Sequence, residues 1–295
     1  MKGVILSGGR GTRLYPATIP VNKQLLPIYD KPMVYYPLSV LMLGGIVEIL
    51  LISSPDYIPL YQRVLQDGRQ WGIQISYAIQ SEPKGIAQAL TIAEDFVAGD
   101  SVCLILGDNF FYGHGLVDIL TECTKLQEGA KIFAYRVAEP RQYGVVEFDA
   151  NHRVISIEEK PKHPKSNYAI PGIYFLDNRS VEIAKKIHPS DRGELEITDV
   201  LKYYLLNRNL SVEILGRGFA WLDMGTHDTL LQAANFVQAM ELRQGLKIAC
   251  IEEIAYRNGY ITAHQLRNLA QKLGNSNYGR YLEDILHESH TDSNS

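Results

Sequence analysis

Short, continuously apolar runs alternate with amphipathic stretches along the first 140 residues. Val4–Leu6, Ile49–Ser53, Ile73–Ile79, Val102–Leu106 and Lys131–Val137 read as strands, apolar on both faces and therefore covered on both. Between them, Pro37–Leu43, Tyr57–Leu65, Ile86–Val97 and Leu116–Leu126 carry helical spacing; in the third, Ile86, Leu90, Ala93 and Val97 share one face. Buried strands alternating with helices predict an α/β fold, a doubly wound and mainly parallel sheet of the Rossmann-like kind.

Beyond residue 140 the rhythm changes. Gly144–Phe148, Val154–Glu158 and Gly172–Leu176 are β-like with no helix between them, as antiparallel neighbours are. Helical stretches at Ser180–Ile187 and Ile197–Asn207 follow, then a strand at Ser211–Leu215. From His227 helical patterns dominate: Thr229–Gln244, Ile251–Tyr256, Ala263–Leu273 and Tyr278–His287, with a polar, frayed end over Ser289–Ser295. The expected organisation is a core over 1–240 with an antiparallel insertion at about 140–225, and a helical C-terminal region over 241–295.

Composition narrows the function classes. Apolar residues at 46% and charged residues at 21% describe an ordinary globular chain and argue against disorder. The formal net charge is −4, which argues against bulk binding to nucleic acid. That charge is unevenly spread: residues 1–31 hold Lys2, Arg10, Arg13, Lys23 and Lys31 against Asp30 alone, a local +4 that leaves −8 for the remainder. Cys103, Cys123 and Cys250 are too scattered for a disulfide framework or a thiolate metal site and fit reduced core thiols. The longest apolar region, Val40–Ile52, is interrupted by Gly44, Gly45 and Glu48, so no bilayer span is expected. The first residues lack a signal-peptide pattern, and a cytoplasmic setting is expected.

The basic N-terminal stretch contains the strongest local motif, Ser7-Gly8-Gly9-Arg10-Gly11-Thr12-Arg13-Leu14, directly after the first strand. Its glycines let the backbone approach a ligand and turn N–H groups into a concavity, and Arg10 and Arg13 can add charge-assisted bonds to phosphate. It is neither a P-loop, which needs Gly-Lys-Ser/Thr, nor a dinucleotide fingerprint, which needs glycine where Leu14 stands. Lys23, in Asn22-Lys23-Gln24, fits either a snorkelling helix-end lysine or a phosphate ligand. Asp108 ends the fourth strand, where open parallel sheets bind ligands; it fits a loop cap or a Mg²⁺ ligand. Asp223 is a second acid that pairs with Asp108 only if a cation relieves their repulsion. Read alone, Glu158-Glu159-Lys160 is a solvated charge run, and Arg192-Gly193-Glu194 opens a helix rich in acids. Tyr143 and Tyr174 fall where sugar hydroxyls could be met.

Taken together, GGRGTRL (8–14), KQLLPIYDKP (23–32), LGDN (106–109), EEKPK (158–162), RGELEITD (192–199), GRGFAWLD (216–223) and GTHD (225–228) resemble the sugar-phosphate nucleotidylyltransferases. KQLLPIYDKP, RGELEIT and GTHD point to the thymidylyl-transferring branch. The resemblance covers about residues 1–287. It implies that dTTP and glucose 1-phosphate give dTDP-glucose and pyrophosphate, the first step toward dTDP-deoxysugars such as dTDP-rhamnose. It implies that Gly8, Gly9, Gly11, Thr12 and Arg13 hold the triphosphate, that Lys23 binds its phosphates, and that Gln80 and Gly85 meet the thymine. Tyr143, Gly144, Glu159 and Tyr174 would line the glucose site beside Asp108, with Lys160 and Arg192 on the sugar phosphate. Asp108 and Asp223 would hold Mg²⁺, and Arg13, Lys23 and Lys160 would carry the catalysis. It further implies a homotetramer and a second, regulatory nucleotide-sugar site near Gly115, Glu253 and Arg257. Two alternatives stay open: a transferase using UTP or another hexose 1-phosphate, and a catalytically silent nucleotide-sugar sensor.

Overall fold

The structure, a computed structural model, describes residues 1–9 and 11–291. Arg10 lies outside the described residues. Strands Gln74–Ile79, Glu48–Ser53, Lys2–Leu6 and Val102–Leu106 run parallel, side by side in that order. The first strand in sequence is thus flanked by the second and the fourth, and the winding direction reverses between Lys2–Leu6 and Val102–Leu106, the doubly wound arrangement the pattern predicts. Crevices open at the carboxyl ends of strands at such a reversal.

Alternation along each strand supplies two cores. Ile5, Ile49, Leu51 and Ile105 face one side, with helix Tyr35–Leu43 and the C-terminal helices Ile251–Arg257 and Ala263–Lys272. Val4, Leu6, Leu50, Ile52 and Leu104 face the other, against Leu90, Ala93 and helix Ile197–Leu206. The sheet continues through Ile173–Leu176, antiparallel to Val102–Leu106, then Ala130–Arg136, and ends beside it with Leu210–Leu215, parallel. The hairpin Gly144–Phe148 and Val154–Glu159 is antiparallel as expected and joins the sheet through Tyr168–Ala169.

Several boundaries differ from the sequence pattern for identifiable reasons. The single helix expected over Ile86–Val97 is two short ones, Gln88–Ile92 and Glu94–Val97. Ala87 donates its N–H to the Leu195 carbonyl at 3.1 Å, and the fully buried Ala93 leaves α geometry at φ −83°, ψ 3°. The helix expected to reach Leu126 ends at Cys123, and that expected to reach Ile187 ends at Ala184, shortly before His188-Pro189. The helix Asn277–Thr291 includes the first residues of the tract expected to fray; residues 292–295 lie outside the described ones. Among the described residues no helix is long and apolar enough to cross a membrane.

The C-terminal region is bound to the core by buried polar groups. Lys31, with 1% of its side chain exposed, pairs with Asp30 at 2.5 Å and with Glu241 of helix His227–Gln244 at 3.1 Å. Glu252 accepts from Trp71 Nε1 at 3.2 Å and from the Tyr278 hydroxyl at 2.7 Å. Burial raises the pKa of Glu252 above the ordinary carboxylate value, and these bonds and Lys31 only partly offset it. The native state therefore holds this proton where the unfolded chain has lost it, so stability falls as pH rises through that window. Glu252→Gln is expected to melt higher than wild type toward alkaline pH, with the gap closing near pH 4; thermal unfolding across pH checks the slope.

Candidate active site

Two strand ends build the site. Lys2–Leu6 delivers Ser7, Gly8 and Gly9 at the winding reversal, and Val102–Leu106 delivers Gly107 and Asp108 beside it. Gly9 and Gly11 adopt φ +89° and +60°, backbone that costs an L side chain free energy and glycine little. A Cβ at Gly8 would lie 2.1 Å from Gln80 Oε1, so a side chain there would displace the Gln80 amide. Thr18 Oγ1 pins the loop by donating to the Gly11 carbonyl at 2.7 Å, and a single 3₁₀ turn, Thr12–Leu14, points Arg13 toward the cleft. Lys23 sits against Gly11 across the same loop.

A short antiparallel ladder, absent from the sequence pattern, brings the second acid in. Asn109–Gly113 pairs with Phe219–Asp223, placing Asp223 opposite Asn109, and the Met224 N–H donates to the Asp108 carbonyl at 2.9 Å. The sequence-predicted acids, 115 positions apart, are thereby neighbours. Lys23 Nζ forms an ion pair with Asp108 Oδ2, and Tyr143 donates its hydroxyl to Asp223 Oδ1 at 2.9 Å. Burial pushes the Asp108 carboxyl up, but the Lys23 ammonium beside it wins and holds the pKa below its ordinary value. Asp223 ends up raised, by burial and by the charge of Asp108, against the Tyr143 hydrogen bond.

The opposite wall comes from the antiparallel strands. A cleft of about 530 Å³ is lined by Arg13, Asp108 and Asp223 together with Tyr143, Gly144, Glu159, Lys160 and Tyr174. Lys160 adopts φ +40°, rare for a lysine, and its N–H donates to the Tyr143 carbonyl at 3.0 Å. Glu159 lies 4.0 Å from Lys160 Nζ and 3.6 Å from the Arg192 guanidinium.

The remaining candidates lie outside the cleft lining. Gly8, Gly9, Gly11 and Thr12 form the loop that carries Arg13 to it, with Lys23 packed on Gly11 and Gln80 on Gly8. Gly85, at φ +115°, leaves no room for a Cβ, which would meet the Leu195 carbonyl at 2.4 Å. Arg192 is engaged by Glu194 at 2.9 Å and Glu196 at 2.8 Å. Gly115 caps helix Leu116–Cys123 at φ +77°, and Glu253 lines a second cleft of about 290 Å³ beside Leu116 and Lys247. Arg257 donates from Nε to Glu253 at 2.7 Å.

Asn109 was legible only as a letter in LGDN. Buried at 2% exposure, its Oδ1 accepts from the Trp221 indole at 2.7 Å and from the Gly172 N–H at 2.9 Å. Both partners are obligate donors, so Nδ2 must face Asp108 Oδ1, 3.0 Å away. Asn109→Asp keeps the shape but sets a carboxylate against a carboxylate. Turnover is expected to fall by roughly 10²-fold with the fold retained, measured as kcat beside a thermal melt.

A glycine loop, a lysine–carboxylate pair and a second acid at the reversal of a doubly wound sheet define an α/β enzyme built to handle phosphates. The sequence model of the nucleotidyl transferase family matches residues 2–240. The chain belongs to the nucleotidyl transferase family. It is 55% identical over 286 residues to the glucose-1-phosphate thymidylyltransferase of Neisseria meningitidis, covering 97% of this chain and 99% of that one. The enzyme of the same name from Mycolicibacterium smegmatis is 54% identical over 286 residues, again 97% of this chain and 99% of that one. A Bacillus anthracis structure solved with sucrose superposes with a TM-score of 0.74 at 40% identity, covering 80% of this chain and 94% of that one. A UDP-glucose pyrophosphorylase with bound UDP-glucose shares the fold, with a TM-score of 0.71 at 24% identity over 81% of this chain and 98% of that one.

Proposed function

We infer that the protein transfers the thymidylyl group of dTTP to glucose 1-phosphate, giving dTDP-glucose and pyrophosphate. The observation that carries this is one cleft joining the glycine-loop arginine and the paired acids to Lys160 and the sugar-facing tyrosines, in a chain 55% identical to an enzyme of that name. The loop Gly8–Arg13 and Lys23 bind the triphosphate, and Gln80 and Gly85 the thymine. Tyr143, Gly144, Glu159 and Tyr174 bind glucose, and Lys160 and Arg192 its phosphate.

Asp108 and Asp223 fit a divalent cation, Mg²⁺ among them. They are hard oxygen donors, they repel each other, and their burial makes that repulsion costly. When bound, Mg²⁺ would supply positive charge to the reacting phosphate.

The chain's own residues do the rest. A sugar phosphate is already a nucleophilic oxyanion, so no general base is required. What opposes reaction is repulsion between two anions, and Arg13, Lys23 and Lys160 offset it while fixing an in-line approach. Lys23 rests on Asp108 and exchanges that partner for a triphosphate oxygen. Pyrophosphate release over four nucleotides and several sugar 1-phosphates tests the assignment. The highest kcat/KM is expected for dTTP with glucose 1-phosphate, with dUTP, which lacks only the methyl, within about 10–200-fold. No turnover with any pair would replace the enzyme by a sensor.

The second cleft, with Glu253 in its wall, supports a regulatory nucleotide-sugar site. Millimolar dTDP-rhamnose is expected to inhibit; unchanged rates would remove this site. Assembly into a homotetramer, with Leu231, Leu242 and Leu246, exposed by 61%, 72% and 49%, open to an interface, is expected and is measurable by light scattering. Three free, buried cysteines support a cytoplasmic setting.

A further inference from the structure

Gln88 stands behind Gln80, outside the cleft. Its Oε1 accepts two hydrogen bonds, from the backbone N–H of Lys84 at 2.9 Å and from Gln80 Nε2 at 2.8 Å. A backbone N–H can only donate, so the Lys84 contact fixes which end of the Gln88 amide faces it. The same oxygen then demands a donor from Gln80 and turns Nε2 of that residue toward Gln88. Gln80 Oε1 is left facing the glycine loop, against Gly8. The Gln80 backbone is held as well, its N–H donating to the Ser53 carbonyl at 2.8 Å, and the residue is 4% exposed.

One of the two N–H bonds of Gln80 is committed to Gln88. The other, beside Oε1, forms an acceptor–donor edge of fixed polarity. A pyrimidine with an N3–H donor next to a C4 carbonyl matches this edge. A pyrimidine with an N3 acceptor next to a C4 amino group matches only the flipped amide. The flip would set Gln80 oxygen against Gln88 oxygen, two acceptors facing each other at a buried position.

We propose that Gln88 is a positioning residue that selects keto over amino pyrimidines by locking the amide of Gln80. This rests on the assignment of Gln80 to the base. The Lys84 N–H sets the polarity, Gln88 relays it and Gln80 presents it.

The test is the ratio of kcat/KM for dTTP to that for dCTP, with glucose 1-phosphate as acceptor; where dCTP turnover is undetectable, its competition against dTTP gives the same ratio. Gln88→Met keeps the length and removes the acceptor. It is expected to lower the ratio by at least ~10-fold, chiefly through KM, because Gln80 can then turn. Gln88→Glu still accepts from both donors and is expected to stay within about threefold of wild type. Equal losses for both nucleotides in Gln88→Met would assign Gln88 a structural part only and overturn the proposal. Gln80→Met separates the two ideas. If it collapses the ratio while Gln88→Met does not, the proposal fails and the base assignment stands. If it leaves the ratio unchanged, the base assignment fails and takes the proposal with it.

Discussion

Lys160→Ala is expected to fold normally and to lose about 10²–10⁴ in kcat. The side chain is 41% exposed and among the described residues has only Glu159, 4.0 Å away, as an ion-pair partner, so little of the fold depends on it. Its backbone is a different matter. A residue at φ +40° is held there by its surroundings, here through the N–H bond to the Tyr143 carbonyl, and alanine meets the same backbone strain as lysine. The substitution therefore removes the ammonium and little else. On the proposed reading, the ammonium, in the cleft that Arg13 also lines, acts where two anions must approach, and its effect is greatest when charge is most crowded, in the transition state. The losses in kcat and kcat/KM should be of similar size, with the melting temperature within a few degrees of wild type. A rise in KM alone would make Lys160 a uniform binder of the sugar phosphate.

The strained backbone at Lys160 shows what a sequence can and cannot announce. The run Glu158-Glu159-Lys160 carries no local mark of function: as a string it is a charged strand end. What distinguishes Lys160 is the carbonyl of Tyr143 across the hairpin, a tertiary contact. The glycine loop was legible because its requirement is local, with two positive-φ positions, a strand before it and arginines within it. The parallel half of the sheet was legible for a similar reason, since strands covered on both faces leave continuous apolar runs. The ladder of Asn109–Gly113 with Phe219–Asp223 was not. Its strands are short, one starts directly after the Gly107-Asp108 turn, and each has meaning only beside the other. Its absence from the pattern left Asp223 a lone acid after a tryptophan. The same blindness hid Asn109, whose orientation depends on Trp221 and Gly172, and Gln88, which is an ordinary helix residue until Lys84 folds over it.

That ladder makes the second large effect predictable. Asp108→Asn and Asp223→Asn are each expected to lower kcat by about 10³-fold and to raise the Mg²⁺ concentration for half-maximal rate at least tenfold. Asparagine keeps the volume and one oxygen, so the cleft stays intact while the charge goes. The two variants should differ in a second respect. Asp108→Asn also strips Lys23 of its ion-pair partner, whereas Asp223→Asn leaves that pair and exchanges the charged acceptor of the Tyr143 hydroxyl for a neutral amide oxygen. KM for dTTP should therefore change more in the first. The decisive variant is the double one. If both carboxylates serve one ion, losing the second after the first removes little more, and the double variant should resemble the worse single. Two acids acting independently would instead multiply their effects to about 10⁶-fold. Multiplied losses, with an unaltered Mg²⁺ titration in the single variants, would separate the acids and leave the repulsion between them without a function.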